Sequence, residues 1–304
     1  MNDRRLVVVK NPNSTRAHRV DNEVINPLYA HGKPFVTLET RSPHTEDNIA
    51  DMQEFLRDGD IALGVGGDGT GMQLTNAVLR SGLNVELGFL PYGNFNDLAR
   101  VHGLRNPLDA YGDVATTELH PLTIDIDGEY WRDAPAYATM GWSAIAASQF
   151  GHTESRDRMR RGVGGTSLIP SLGQLARHYF EHRDEKLPSF HTSHSDVVRR
   201  AVTDIMAVNS PRVGAVVRSR ENHYDQGDFG YREVDVSRIL PNIPFGLQAL
   251  FGRTPTSLRS KTSVEFDAPA SVPIQTEGEF ARPENVSRID IYKDPAKSVT
   301  VIHR

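Results

Sequence analysis

The sequence predicts an α/β plus β protein, with an N-terminal Rossmann-like parallel α/β domain followed by a mostly antiparallel β-sandwich domain. In the first 120 residues, short apolar runs alternate with segments of helical spacing, which is typical of βαβ units. After residue 121, short strand-like runs are separated by turn residues. The 304 residues, with 38% hydrophobic and 24% charged content, suffice for two globular domains.

Four strands alternate with helical segments in the first domain. Strands are predicted at residues 6–9, 34–40 and 85–90 and in the apolar run after Asp60. Helical segments are predicted at residues 20–30, 45–56 and 72–80, with a further helical turn from residue 96. Because the carboxyl ends of parallel strands meet at one edge of a sheet, we expect Asn11, Thr40 and Asp68 to lie near the segment 91–97.

The second domain is predicted from residue 121 to 285, and residues 286–304 form a terminal β segment that could return toward the first domain (1–120). A helix is expected at 167–183 and a basic, glycine-rich loop at 156–165. The predicted strands cover residues 122–127, 130–139, 196–208, 213–217, 231–239, 263–266, 272–276, 289–292 and 299–302.

Composition excludes several classes of protein. The formal charge of −5 argues against a general nucleic-acid binder, so no nucleic-acid partner is expected. The absence of cysteine excludes disulfides and thiolate metal sites. The chain enters a strand almost at once, and no apolar run approaches the ~20 residues of a membrane span. We therefore expect a cytoplasmic protein, with peripheral contact at the inner face of the membrane left open.

The stretch Gly66-Gly-Asp-Gly-Thr70 joins a buried strand to a helix N-terminus. Glycine permits a close approach of backbone to ligand, and the N–H groups that begin a helix bind phosphate well. Asp68 places a carboxylate where phosphate should sit, which is understandable if Mg²⁺ bridges the two groups. The alternative is an ordinary tight turn in which Asp68 caps the following helix.

Four motifs together resemble the diacylglycerol kinase catalytic-domain family, which includes bacterial lipid kinases and sphingosine kinases and is distantly similar to NAD kinases. The resemblance extends over nearly the whole chain, in order and in spacing. The motifs are Asn11-Pro12, Gly66-Gly-Asp-Gly-Thr70, Leu87-Gly-Phe-Leu-Pro-Tyr-Gly-Asn-Phe-Asn-Asp-Leu-Ala-Arg100 and Pro273-Ile-Gln-Thr-Glu-Gly-Glu279.

This resemblance implies ATP bound with Mg²⁺ in a cleft between the two domains. Asp68, Glu277 and Glu279 would be catalytic, and Glu277 stands at the family position of the base that takes the proton of the lipid hydroxyl. Asp68, Asp97 and Glu279 would hold Mg²⁺. The implied nucleotide contacts are Asn11, Thr40, Gly66, Gly67, Gly69, Thr70, Gly93, Asn94 and Asn96.

Each of these residues also has an ordinary structural interpretation. Asp97 lies close to a helix start, where aspartate is a common cap, and Arg100 is expected to form a plain salt bridge. Carboxylates such as Glu277 and Glu279 in a strand or turn are usually only solvated.

The sequence departs from the family pattern at three places. Asn94-Phe95 stands where the family has Thr-Gly, Gln73 replaces a glutamate, and Glu277 replaces an aspartate. These changes could alter the handling of nucleotide or substrate, or weaken catalysis.

The sequence therefore predicts an ATP-dependent lipid kinase that phosphorylates the hydroxyl of diacylglycerol or a related lipid alcohol. The alternatives are an NAD-kinase-like phosphotransferase and a catalytically impaired nucleotide- or lipid-binding homologue. The apolar segment 239–251, with Arg253, Arg259 and Lys261 nearby, could line a lipid pocket or contact a membrane. A homodimer is left open, as is a structural Mg²⁺ site near Asp225, Asp228 and Gly230.

Overall fold

The computed structural model describes residues 4–41, 45–145, 187–192, 195–199, 204–213, 217–218, 223–224, 227–234 and 257–304. The chain divides into two compact units, Met1–Pro121 with Pro295–Arg304, and Leu122–Asp294. The predicted helix at 167–183, the loop at 156–165 and the apolar segment 239–251 lie outside the described residues.

The first unit contains one six-stranded sheet. Its strands are β1 (Leu6–Lys10), β2 (Phe35–Glu39), β3 (Ile61–Gly66), β4 (Glu86–Pro91), β5 (Ala115–Leu119) and β20 (Val299–His303). They lie in the order β2-β1-β3-β4-β20-β5. All neighbours are parallel except β20 and β5, which are antiparallel. This arrangement confirms the predicted parallel α/β domain.

The helices of the first unit are α1 (Asn26–Ala30), α2 (Thr45–Phe55), α3 (Asp68–Ser81) and α4 (Asp97–His102). A 3-10 helix lies at Pro107–Tyr111. The single helix predicted over 20–30 is instead a 3-10 turn at Ala17–Arg19, a π-helical turn at Asp21–Ile25 and then α1. Pro27 explains the irregularity, because proline has no N–H to donate within a regular helix.

The described residues of the second unit form two further six-stranded sheets and one two-stranded sheet. The first of these sheets has the order β10-β9-β16-β19-β6-β7, and the second has the order β15-β14-β11-β8-β17-β18. The strands are β6 (Leu122–Ile126), β7 (Glu129–Ala134), β8 (Tyr137–Gly141), β9 (Phe190–Thr192), β10 (Ser195–Arg199), β11 (Asp204–Val208), β12 (Arg212–Val213), β13 (Val217–Arg218), β14 (Phe229–Val234), β15 (Ser257–Arg259), β16 (Lys261–Ala270), β17 (Ile274–Thr276), β18 (Glu279–Ala281) and β19 (Val286–Tyr292).

The two large sheets of the second unit share one apolar core. Leu122, Val264 and Ile289 come from one sheet, and Met140 and Ile205 from the other, and all five are fully buried. Alternate residues of each strand face this core, as the period of two in a β-strand requires. The pairing of described strands is antiparallel throughout this unit, which confirms the predicted β-sandwich.

The predicted terminal segment 286–304 is divided between the two units. β19 lies between β16 and β6 in the second unit, whereas β20 lies between β4 and β5 in the first. The division falls between Asp294 and Pro295 rather than at residue 285, because each strand completes a different sheet. Among the described residues, no helix is both long and apolar enough to cross a membrane.

We expect Ile302→Ala to lower the free energy of unfolding by about 2–5 kcal/mol. Ile302 is fully buried in the apolar cluster of the first unit, on a strand with neighbours on both sides. Urea denaturation would measure the change. Thr300→Ala, at a half-buried position on the same strand, is the matched control and should change stability much less. Equal losses in both variants would contradict this account of β20.

Candidate functional site

Two glycine-containing turns touch at the carboxyl edge of the parallel sheet. β3 ends at Gly66 and β4 ends at Pro91, and the backbone N–H groups of Tyr92 and Gly93 donate to the carbonyl of Gly66 at 2.9 and 2.8 Å. A Cβ atom on Gly93 would lie 2.3 Å from the Cα of Gly67. Because only glycine allows this approach, the two turns form one continuous backbone surface.

Asn96 holds the second turn together. Its Oδ1 accepts a hydrogen bond from Gly93 N at 2.7 Å, and its Nδ2 donates to Gly93 O at 2.8 Å. The residue is buried, and its φ of 56° lies in the left-handed region that asparagine tolerates better than most side chains. Both polar groups of Asn96 therefore stabilise the turn, and a direct contact with nucleotide stays a prediction.

Asp68 begins α3 but caps a different helix. Its Oδ1 accepts a hydrogen bond from the backbone N–H of Leu98 at 3.0 Å, in the first turn of α4. The sequence left open that Asp68 caps its own helix; the structure instead shows that it joins the first glycine turn to the helix that follows the second. Asp97 is the first residue of α4 and is fully buried.

Burial and the charge of Asp97 together raise the pKa of Asp68 to about 7, against the opposing effect of the backbone N–H groups of Asn96, Asp97 and Leu98. Burial is the larger cause, since it penalises the charged form. Two buried acids that disfavour each other's ionisation are suited to a cation, which would restore the charged form of both.

The donor set fits Mg²⁺ in particular. Mg²⁺ takes oxygen ligands and is commonly bound by one or two carboxylates together with waters and substrate phosphates. Asp68 and Asp97 supply two carboxylates, and no cluster of three or more His, Cys, Asp or Glu side chains occurs among the described residues. Glu279, the third predicted ligand, is the first residue of β18 in the second unit, and its role as a ligand stays a prediction.

Side chains link the ends of β1, β3 and β4. Asn11 Nδ2 donates to Thr70 Oγ1 at 3.1 Å, and the hydroxyl of Thr15 donates to Asn94 Oδ1. A Cβ on Gly66 would lie 2.3 Å from Thr70 Oγ1, so glycine is required there as well. The structure thus brings Asn11, Thr70 and Asn94 together around the touching turns.

The structure also describes Gly69, Thr40 and Arg100, which the sequence places near this edge of the sheet. Gly69 is half-buried in the first turn of α3, where helical N–H groups have no intrahelical acceptor. Thr40 is buried just after β2, and its N–H donates to Lys10 O at 3.0 Å. Arg100 Nε donates to the carbonyl of Phe95 at 2.9 Å; the expected salt bridge is not what the structure shows for this side chain.

Gln73 faces helix α2. Its Oε1 accepts a hydrogen bond from Asn48 Nδ2 at 3.2 Å, and its Nε2 donates to Thr45 Oγ1 at 3.5 Å. An amide can both accept and donate here, whereas a carboxylate could only accept. The departure from the family's glutamate therefore has a structural role, which the sequence did not reveal because Asn48 lies 25 residues away.

Glu277 is buried in the second unit, in the turn between β17 and β18. Its Oε1 accepts hydrogen bonds from the backbone N–H groups of Ala136 at 2.6 Å and Tyr137 at 2.9 Å. Its φ of 47° and the φ of 84° at Gly278 form the tight turn. The interpretation of Glu277 as a merely solvated carboxylate is therefore wrong, because the side chain is only 4% exposed.

Asn209 holds the other side of the same backbone turn. Its N–H donates to Ala136 O at 2.8 Å, and its Nδ2 donates to Pro135 O at 2.8 Å. The turn before β8 is thus held by Glu277 through its N–H groups and by Asn209 through its carbonyls. No sequence motif marks Asn209, so this partner could be found only from the structure.

The structural Mg²⁺ site expected near Asp225, Asp228 and Gly230 stays a prediction. Asp225 lies outside the described residues, and Gly230 lies within β14. Arg253 also lies outside the described residues.

Residues 5–125 match the family described as "Diacylglycerol kinase catalytic domain". The predicted family resemblance is confirmed. The match covers both glycine turns, Asp68, Asp97 and the linked ends of β1 and β3.

One curated relative and two solved structures are similar to parts or all of this chain. A "Putative lipid kinase" of Staphylococcus haemolyticus is 47% identical over 55 residues, which are 18% of this chain and 18% of that protein's length. A structure titled "Crystal structure of a putative diacylglycerol kinase from Bacillus anthracis str. Sterne" has a TM-score of 0.67 at 17% identity, over 99% of this chain and 98% of that one. A second structure from that organism has a TM-score of 0.65 at 18% identity, over 99% and 97%. These structures share the fold of the whole chain.

We expect Gly93→Ala to lower the free energy of unfolding by about 1–3 kcal/mol, because the new methyl group would overlap the backbone of Gly67. Urea denaturation would measure this loss. Gly64→Ala is the control on strand β3, where a Cβ would meet its nearest neighbours at an ordinary 3.5 Å. If Gly93→Ala were as well tolerated as Gly64→Ala, the turns would not be in contact as described.

The raised pKa of Asp68 predicts a pH dependence of stability. Since the folded state keeps this proton up to about pH 7 and the unfolded state loses it near pH 4, stability should fall as pH rises through this window. Asp68 should account for a loss of about 2–3 kcal/mol between pH 5 and pH 8. Asp68→Asn should remove this part of the loss of stability, and urea denaturation between pH 5 and pH 8 would measure it. If the free energy of unfolding changed with pH equally in the variant and in the unmodified protein, the raised pKa of Asp68 would be contradicted.

Proposed function

We propose that this protein is an ATP-dependent lipid kinase, which transfers the γ-phosphoryl group to the hydroxyl of diacylglycerol or a related lipid alcohol. One observation carries the proposal. Two buried carboxylates, Asp68 and Asp97, meet at the crossing of two glycine turns, within the segment that matches the diacylglycerol kinase catalytic domain.

Phosphoryl transfer depends mainly on positioning and on neutralising charge. The N-terminal turn of α3, at Gly67 and Gly69, offers backbone N–H groups to the phosphates. Asp68 and Asp97 would hold Mg²⁺, which when bound neutralises phosphate charge. Asn11 and Thr70 fix the position of the turn through their hydrogen bond.

Glu277 is proposed to take the proton from the acceptor hydroxyl. The two N–H groups that bind Oε1 orient the carboxylate for this role. The glutamate has one more methylene than the family's aspartate, and the bonds to Ala136 and Tyr137 give this longer side chain a fixed position. A lipid acceptor also implies transient contact with a membrane surface.

The test is transfer of label from γ-labelled ATP with Mg²⁺ to a panel of lipid alcohols and to NAD. We expect labelled lipid with the unmodified protein. Asp97→Asn and Glu277→Gln should lower kcat by about 10²–10⁴-fold, since each removes a charge used in positioning or proton transfer. Asp133→Asn is the control, because Asp133 is also a buried carboxylate, and it accepts hydrogen bonds from the hydroxyl groups of Thr123 and Tyr130 on β6 and β7.

Labelled NADP without labelled lipid would instead identify an NAD-kinase-like enzyme. Binding of ATP with no transfer to any acceptor would identify a protein that has lost catalysis. Equal activity in Asp97→Asn and Asp133→Asn would refute the role given to the buried acid pair.

A further inference from the structure

The sheet with order β15-β14-β11-β8-β17-β18 carries buried apolar residues on one face and buried polar residues on the other. One face supplies Ala138, Met140 and Ile274 to the apolar core. Because successive side chains of a strand alternate between faces, Thr139 and Gln275 point the other way. Both are nonetheless buried, at 1% and 6% exposure, and they lie opposite each other in register.

Gln275 leaves one polar atom unsatisfied. Its Nε2 donates to Thr139 Oγ1 at 2.9 Å and to the carbonyl of Ser143 at 3.4 Å. Since a carbonyl can only accept, the contact with Ser143 identifies which end of the amide is nitrogen. Oε1 is therefore directed elsewhere, and it is buried without a hydrogen-bond partner in the part of the chain that the structure describes. Such an acceptor destabilises the folded protein unless a donor reaches it.

Asp204 lies on the same face, at the start of β11. Its Oδ1 accepts hydrogen bonds from Ser143 Oγ at 2.7 Å and from Ser143 N at 3.2 Å. Burial raises its pKa to about 7, even though both contacts with Ser143 act in the opposite direction. No lysine or arginine of the described residues forms an ion pair with it. Ser143 thus contacts both residues, since its carbonyl accepts from Gln275 Nε2 and its N–H and hydroxyl donate to Asp204 Oδ1.

We propose that Thr139, Ser143, Asp204 and Gln275 form the recognition site for the polar head of the acceptor lipid, and that this site selects an acceptor bearing a second hydrogen-bond donor beside the phosphorylated hydroxyl. This inference rests on the proposed function. Apart from its one hydroxyl, diacylglycerol presents ester oxygens, which only accept hydrogen bonds. A monoacylated diol or a long-chain amino alcohol presents a donor for Gln275 Oε1, beside the buried carboxylate of Asp204.

The site lies beside the proposed base along the chain. Gln275 precedes Glu277 by two residues in β17 and its turn, and Thr139 follows Tyr137, whose N–H binds Glu277, by two residues in β8. Two residues of a strand span about 7 Å, which is on the scale of a small polar head group. The hydroxyl near Glu277 and the donor near Gln275 can therefore belong to one acceptor molecule.

The test compares a short-chain monoacylglycerol with a diacylglycerol and an amino alcohol of matched chain length. With unmodified protein we expect kcat/KM to favour the two donor-rich acceptors over diacylglycerol by at least about 10-fold, the worth of one hydrogen bond to a buried polar group. Gln275→Leu and Asp204→Asn should each reduce this preference about 10-fold without changing KM for ATP. Asp133→Asn should leave it unchanged. An unmodified protein that prefers diacylglycerol, or a preference equal in all variants, would overturn the proposal.

A second arm measures binding of the radiolabelled monoacylglycerol by equilibrium dialysis without nucleotide, on variants whose unfolding midpoints match that of the unmodified protein. Weaker binding by Gln275→Leu and Asp204→Asn supports the site even if no acceptor is phosphorylated, in which case only the kinase assignment fails. Equal binding by all variants overturns the site, and phosphorylation of diacylglycerol alone would leave the kinase assignment standing.

Discussion

The candidate site depends on the contact between the backbones of Gly67 and Gly93. The two turns belong to neighbouring parallel strands, and the carbonyl of Gly66 accepts hydrogen bonds from Tyr92 and Gly93 N–H groups. A side chain at position 93 would separate them. Once the turns touch, Asp68 reaches the N–H of Leu98 on α4, and Asp97 is carried into the same buried region. Backbone packing therefore places two acids where neither would be stable as an isolated buried charge.

This placement connects stability with function. The folded protein raises the pKa of Asp68, so at neutral pH the acid pair destabilises the structure that holds it. A bound cation would reverse that effect, since it favours the charged forms. Hydrogen bonds from the backbone N–H groups at the start of α4 also hold the Asp68 carboxylate in position. A buried acid pair of this kind is expected at a site that binds a charged ligand, because the site is arranged for the ligand at the expense of folding stability.

The second unit buries its apolar core between two packed β-sheets. Its core face is apolar, which accounts for the stability of the unit. Glu277 and Asn209 secure the turn before β8 from opposite sides, while Thr139 and Gln275 line the same strand pair further along. The sequence indicated Glu277 through its motif. It did not indicate Asn209, Ser143 or Asp204, because these residues belong to no motif and their roles follow only from their hydrogen-bond partners in the folded protein.

By itself the sequence determined the alternation of strands and helices in the first domain, the parallel α/β and antiparallel β classes, and the two glycine turns, because these depend on local periodicity and on the backbone freedom of glycine. Only the tertiary structure decided where the polar side chains go. Asp68 binds a residue 30 positions away, Gln73 binds one 25 positions away, and Glu277 binds one 141 positions away. It also decided that β19 and β20, adjacent in sequence, complete different sheets. The physical reason is the same in each case: hydrogen-bond partners and sheet neighbours are set by packing in space, which the local pattern of a chain does not encode.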